Sequence, residues 1–99
     1  MVVMRGAYFE SLEESDRPRE HWRGIDPGDG RTAWFFQTVD DGGRRVAIRQ
    51  MIVHPDGTVD HYWCKRLEDE AGFLTDQPVD YTDRLEAIAA EEFDRLWPD

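Results

Sequence analysis

The sequence predicts an α+β domain: a three- or four-stranded antiparallel meander sheet packed against a C-terminal helix. Three observations predict it. Residues 32–66 hold three runs rich in aromatic and β-branched residues, separated by two short turns. Residues 85–97 carry one apolar stripe at helical spacing. The chain is also rich in large apolar rings, with four Trp, five Phe and three Tyr among 99 residues. That content argues for a packed core despite the high charge. A chain of this length makes a single domain, residues 1–99, and needs its large apolar residues in one core.

The elements follow in order. Residues 2–9 (VVMRGAYF) are expected as a short first strand. Residues 10–31 are expected mostly as loop, with at most one helical turn between Ser11 and Glu20. Pro18, Gly24, Pro27, Gly28 and Gly30 interrupt regular structure there, and Trp22 and Ile25 pin the stretch to the core. Thr32 to Val39 is a strand. Asp40-Asp41-Gly42-Gly43 is turn chemistry, since Gly takes positive φ without steric cost. Arg44 to His54 is the next strand, with Val46, Ile48 and Ile52 on one face and Arg45, Arg49 and Met51 on the other. Pro55-Asp56-Gly57 turns the chain into a third strand, Thr58 to Arg66. Residues 67–81 are a loop containing Phe73 and Leu74, closed by Pro78. Leu85, Ile88, Ala89, Phe93, Leu96 and Trp97 then form the helical stripe. Thr82 is the expected N-cap, with Asp83 and Glu86 favourable near the helix start, and Pro98 ends the helix. A break near Ala89–Ala90, leaving a helix from about 90 to 97, is the alternative.

Charge is distributed unevenly. Residues 1–31 carry 5 Arg against 7 acids, residues 32–66 carry 5 cations against 4 acids, and residues 67–99 carry 2 Arg against 11 acids. Nearly all of the net −10 therefore belongs to the last third. A sequence pI near 4.6 is far from the basic footprint of a nucleic-acid binder. The single Cys64 excludes an internal disulfide and fits a reducing cytoplasm. The opening MVVMRG is too short an apolar run for a secretory signal, and no stretch reaches the roughly 20 apolar residues of a membrane span. Cytoplasmic location, no membrane and no nucleic acid are the expectations.

Candidate chemistry is sparse. His54, His61 and Cys64 are ligand types for zinc, but a strand at 58–66 would point His61 and Cys64 to opposite faces, and a structural site needs about four ligands. No metal and no cofactor is expected. Cys64 as a nucleophile would need a base and an electropositive setting; a free Cys in a strand is usually a small packed residue. Ser11 and Ser15 lack any nucleophile signature. The glycines form no phosphate loop, and the Asp-rich turns lack the spaced ligands of a calcium loop. One enzymatic alternative remains, a small metal-independent hydrolase or nuclease using His61, Arg49 and Arg66 on one sheet face.

The chain resembles a known group. Phe36-Gln37-Thr38-Val39-Asp40-Asp41-Gly42, then Arg49-Gln50-Met51-Ile52-Val53-His54-Pro55-Asp56-Gly57, and Ala87-Ile88-Ala89-Ala90-Glu91-Glu92-Phe93-Asp94-Arg95-Leu96-Trp97 are similar to stretches of the small bacterial domains of unknown function grouped as DUF6881. Some of that group are thought to be immunity proteins of toxin systems. These stretches are turns, strand faces and a closing helix, so the resemblance implies a fold and no catalytic residues. Residues 10–31 depart from it, being longer and more charged.

The leading expectation is a non-enzymatic acidic protein-binding domain, an immunity protein neutralising a basic toxin. Glu68, Asp69, Glu70, Asp76, Asp80, Glu91, Glu92 and Asp94 are its expected acidic face. Complementary charge would steer a basic partner. A third alternative is a small ligand-binding or self-associating domain with an exposed aromatic sheet face, monomer or homodimer. The plain alternative for the acids is a solvated surface that only aids solubility.

Overall fold

The computed structural model describes residues 2–75, 79 and 85–98. Among these residues two helices and five strands follow one another: α1 (Val2–Glu13), β1 (Glu20–Ile25), β2 (Ala33–Asp41), β3 (Arg44–Val53), β4 (Val59–Tyr62), β5 (Glu86–Ala87) and α2 (Ala90–Leu96). The strands form one antiparallel sheet in the order β4-β3-β2-β1-β5. The expected α+β class, sheet against C-terminal helix, is what forms. No helix among the described residues is long and apolar enough to cross a membrane.

The β2–β3 hairpin is the centre. Asp41 and Arg44 pair across a two-residue turn at Gly42 and Gly43. Both glycines have positive φ, 63° and 86°, the backbone a tight hairpin of this twist requires. Alternation along β2 then separates Trp34 and Phe36 from Phe35. Phe35 and Met51 pack with Phe93 of α2, flanked by Ile88 and Trp97. Trp34 and Phe36 border the larger cluster of Ile48, Ile52, Tyr62, Leu74 and Val79. The sheet is thus apolar on both faces.

A bulge between Gln37 and Thr38 shifts the register, so that Gln37 pairs with Arg49 but Thr38 with Ala47. One extra residue on β3 reverses which side its later residues face. Arg45 and Arg49, expected together, consequently lie on opposite sides. Arg45 stacks 4.3 Å from the Trp22 ring, while Arg49 lies 5.0 Å from each of the Trp63 and Trp97 rings.

The N-terminal third differs from expectation. Residues 2–9 are helical, not a strand. Local β-branched residues favoured a strand, but a helix lets Phe9 and Leu12, at i and i+3, enter the cluster with Val39 and Val46. The stretch expected as loop supplies the end of α1 and all of β1, which pairs with β2 over six residues. Trp22 is half-buried and donates its indole N–H to Thr38 Oγ1 at 3.1 Å. Ile25 does not enter the core; it is 43% exposed, and Phe73 is 58% exposed.

The last strand and helix are shorter than expected. β4 stops at Tyr62 because Trp63 and Arg66 close a tight turn with reciprocal backbone bonds of 3.1 and 2.9 Å. α2 begins at Ala90, the alternative boundary, and has acids Glu91 and Glu92 in its first turn and Arg95 in its last, matching the helix dipole. Its cap position is Ala89, without a side-chain bond; Thr82 and Asp83 lie outside the described residues. Phe93, fully buried, is the main anchor of α2. Phe93→Ala should cost about 3–5 kcal/mol, read as a lowered urea midpoint at unchanged secondary-structure content in water.

Candidate binding groove

Trp34, Phe36, Gln50 and Ile52 share the sheet face opposite α2. Residues 67–75 cross this face as a loop, and side-chain bonds hold it there. The Asp69 carboxylate accepts from the Tyr62 hydroxyl at 2.9 Å, from Arg66 Nη2 at 2.7 Å, and from the backbone N–H groups of Ala71 and Gly72. The Arg66 bond and then the Tyr62 bond lower the Asp69 carboxyl to about 2. Burial, and then the same carboxylate, push the Tyr62 phenol up to about 12. Gln50 grips the next stretch at both ends of its amide. Its Nε2 donates to the Phe73 carbonyl at 3.1 Å, and its Oε1 accepts from the Thr75 N–H at 3.0 Å.

The loop does not cover the face completely. Between it and the end of β1 lies a cavity of about 540 Å³ lined by Gly24–Pro27, Trp34, Phe36, Gln50, Ile52, Ala71–Phe73, Thr75, Val79 and Leu85. The close approach of Leu85 depends on Gly24, where a Cβ would stand 2.8 Å from Leu85 Cδ2. Ile25 and Phe73, both exposed, line this cavity. Its polar side chains are engaged locally: Gln50 as above, and Asp26 Oδ1 with the Gly28 N–H at 2.7 Å. Apolar contact is therefore the chemistry the groove offers.

The α2 face carries a polar chain instead. Glu13 accepts from Arg19 Nη1 at 2.6 Å and from Arg49 Nε at 2.8 Å; Arg19 also donates to the Glu13 carbonyl. Arg19 Nη1 further donates to Gln37 Oε1 at 2.9 Å. With its oxygen so committed, the Gln37 amide presents N–H to His21 Nε2, 3.0 Å away, so that nitrogen must be the acceptor and His21 neutral. Phe93 covers the His21 ring at 5.3 Å.

The enzymatic alternative is only partly assembled. His61 and Arg49 both lie against Trp97, and the Arg66 charge reaches His61. Arg49, however, is held by Glu13 and Arg66 by Asp69. His54 Nε2 is 2.7 Å from Asp60 Oδ2, and the Cys64 thiol, raised by burial, packs against the core. No three His, Cys, Asp or Glu among the described residues could together hold a metal ion.

The expected acidic face divides in two. Glu68, Asp69 and Glu70 belong to the loop on the groove side, whereas Glu91, Glu92 and Asp94 belong to α2 on the other. The chain changes sides at β5: Leu85 packs with the groove-side cluster and Ile88 with Phe93. Asp69 is engaged within its own loop. Asp76 and Asp80 lie outside the described residues. The groove itself escaped sequence reasoning. The sequence reads residues 32–39 as a strand and groups Ile52 with Val46 and Ile48, but the pairing that sets Ile52 beside Trp34 is tertiary, Leu85 reads as part of the helix stripe, and nothing local shows a loop as their cover. Comparison of the chain with protein-family models, curated proteins and solved structures returns no match.

Gln50→Ala should free the loop at two backbone groups and cost about 1–2 kcal/mol, with faster hydrogen exchange confined to residues 67–75. Acid should act in two steps. Burial lowers the His21 pKa from 6.5, opposed by Asp94, and lowers that of His61 as well. A neutral ring preferred by the fold means stability falls as pH drops through the unfolded value near 6.5. Asp69 contributes above its unfolded value of 3.8 and is lost as pH falls to about 2. The urea midpoint should decline as pH falls below about 6.5, and again below pH about 4. His21→Gln, which keeps an acceptor for Gln37, should weaken the first decline and leave the second.

Proposed function

We propose that the chain is a non-enzymatic, acidic protein-binding domain whose partner presents a basic surface, a toxin-neutralising immunity protein being the reading that fits its resemblance to DUF6881 domains. One observation carries it. Glu70, Glu91, Glu92 and Asp94 take part in no ion pair among the described residues, in a chain of net charge −10. Small soluble domains ordinarily intersperse both signs on their surfaces. Among the described residues these acids have no paired cation, and a basic partner would supply the cations. Such a field speeds encounter and suppresses wrong partners, while apolar contacts supply affinity.

Affinity capture from the native cell, followed by kinetics with the captured protein, tests this. The partner should be basic, and raising salt should slow association by about 10-fold or more with little change in dissociation. Glu91→Lys with Asp94→Lys, compared with Glu68→Lys with Glu70→Lys, should slow association on the side the partner approaches. Binding indifferent to salt and to both pairs would refute the proposal.

A further inference from the structure

The groove has a composition that specifies its occupant more closely, on the premise that the partner is basic. Its floor is Trp34, Phe36 and Ile52, and Ile25 and Phe73, 43% and 58% exposed, stand in its lining. Exposed large apolar residues gathered at one cavity mark an interaction site more often than scattered ones do. The volume of about 540 Å³ lies within the roughly 300–1,000 Å³ over which proteins seat compact ligands, leaving room for a bulky side chain and its neighbours.

Charge narrows the choice. Asp26 lines the cavity, and Glu68 and Glu70 stand exposed in the same short loop as Phe73. Among the described residues, Arg66 is matched by Asp69 and Arg23 by Glu86. An anionic amphiphile would set its head group against this acidic rim. An uncharged apolar molecule would leave the rim unused. We infer that the groove seats a bulky apolar side chain of a partner peptide segment, with Lys or Arg on either side of it meeting the acids of the rim. The anchor would supply affinity from burial and the flanking cations would orient it.

Short capped peptides test this against the isolated chain, read by NMR titration: Lys-Lys-Leu-Lys-Lys, Lys-Lys-Ser-Lys-Lys and Glu-Glu-Leu-Glu-Glu. The Leu-centred basic peptide should bind about five-fold or more tighter than its Ser counterpart, the difference expected from burying one aliphatic side chain in part. Its shifts should centre on the Trp34 indole and the Gln50 amide. Phe73→Ser and Ile25→Ser alter exposed side chains and leave the fold intact; each should bring the two basic peptides to within about two-fold of one another. Equal, salt-sensitive binding of both basic peptides would overturn the groove inference while preserving the basic-partner reading. Shifts confined to α2 would do the same. Failure of both basic peptides, or preference for the acidic one, would overturn both. A concentration-dependent mass accompanied by shifts at the groove would assign it to a second copy of the chain and overturn the peptide inference.

Discussion

The β2–β3 hairpin is apolar on both faces, and this constraint shapes the rest of the molecule. Phe35 and Met51 face one way; Trp34, Phe36 and Ile52 face the other. A sheet with one wet face needs a single cover, but this one needs two. Helix α2 closes the first face through Phe93, with Ile88 and Trp97 beside it. Among the described residues, the second face is crossed by the loop of residues 67–75. A helix presents a continuous apolar stripe, whereas a loop must first satisfy its own backbone groups. Here Tyr62, Asp69 and Gln50 provide those partners, and the apolar area that the loop fails to reach remains as the groove.

Two covers from consecutive chain segments require the chain to change sides, and it does so at β5. Two residues of pairing with β1 are enough to hold Leu85 on one side and Ile88 on the other. That crossing also explains the electrostatics. The acids of the last third are contiguous in sequence but divided in space between the loop and α2. The field is therefore two-sided: its loop half adjoins the exposed Phe73, and its α2 half shares a short helix with the exposed Leu96. The bulge in β3 has a similar consequence for the cations, sending Arg45 to Trp22 and Arg49 to Glu13, Trp63 and Trp97.

Much of the central sheet was legible because its signals are local. The glycines of the β2–β3 turn, the aromatic and β-branched run of residues 32–39 and the acid-led, Phe93-centred end of the chain each state their structure within a few residues. The N-terminal third was not legible in this way. Val2, Val3, Tyr8 and Phe9 suit a strand by local preference, and only the burial of Phe9 and Leu12 against the hairpin selects a helix. Glu20–Ile25 reads as loop because Pro18, Gly24 and Pro27 surround it, yet β2 offers it an open edge to pair with. The groove required knowing that Leu85 leaves the helical stripe and packs beside Gly24, a contact between residues sixty-one positions apart.

By itself, the sequence determined the fold class, the presence of a tight glycine turn after residue 39, the helical end of the chain and the excess of acid in the last third. These follow from backbone preferences, side-chain periodicity and composition, which are properties of neighbours in the chain. Only the tertiary structure decided that residues 2–13 are helical, that Arg45 and Arg49 part company, that the acids lie on both sides of the sheet, and that Ile25 and Phe73 stand exposed at a groove. Each of these depends on what packs against the two apolar faces of β2 and β3, and that competition for buried area is settled between segments far apart in sequence.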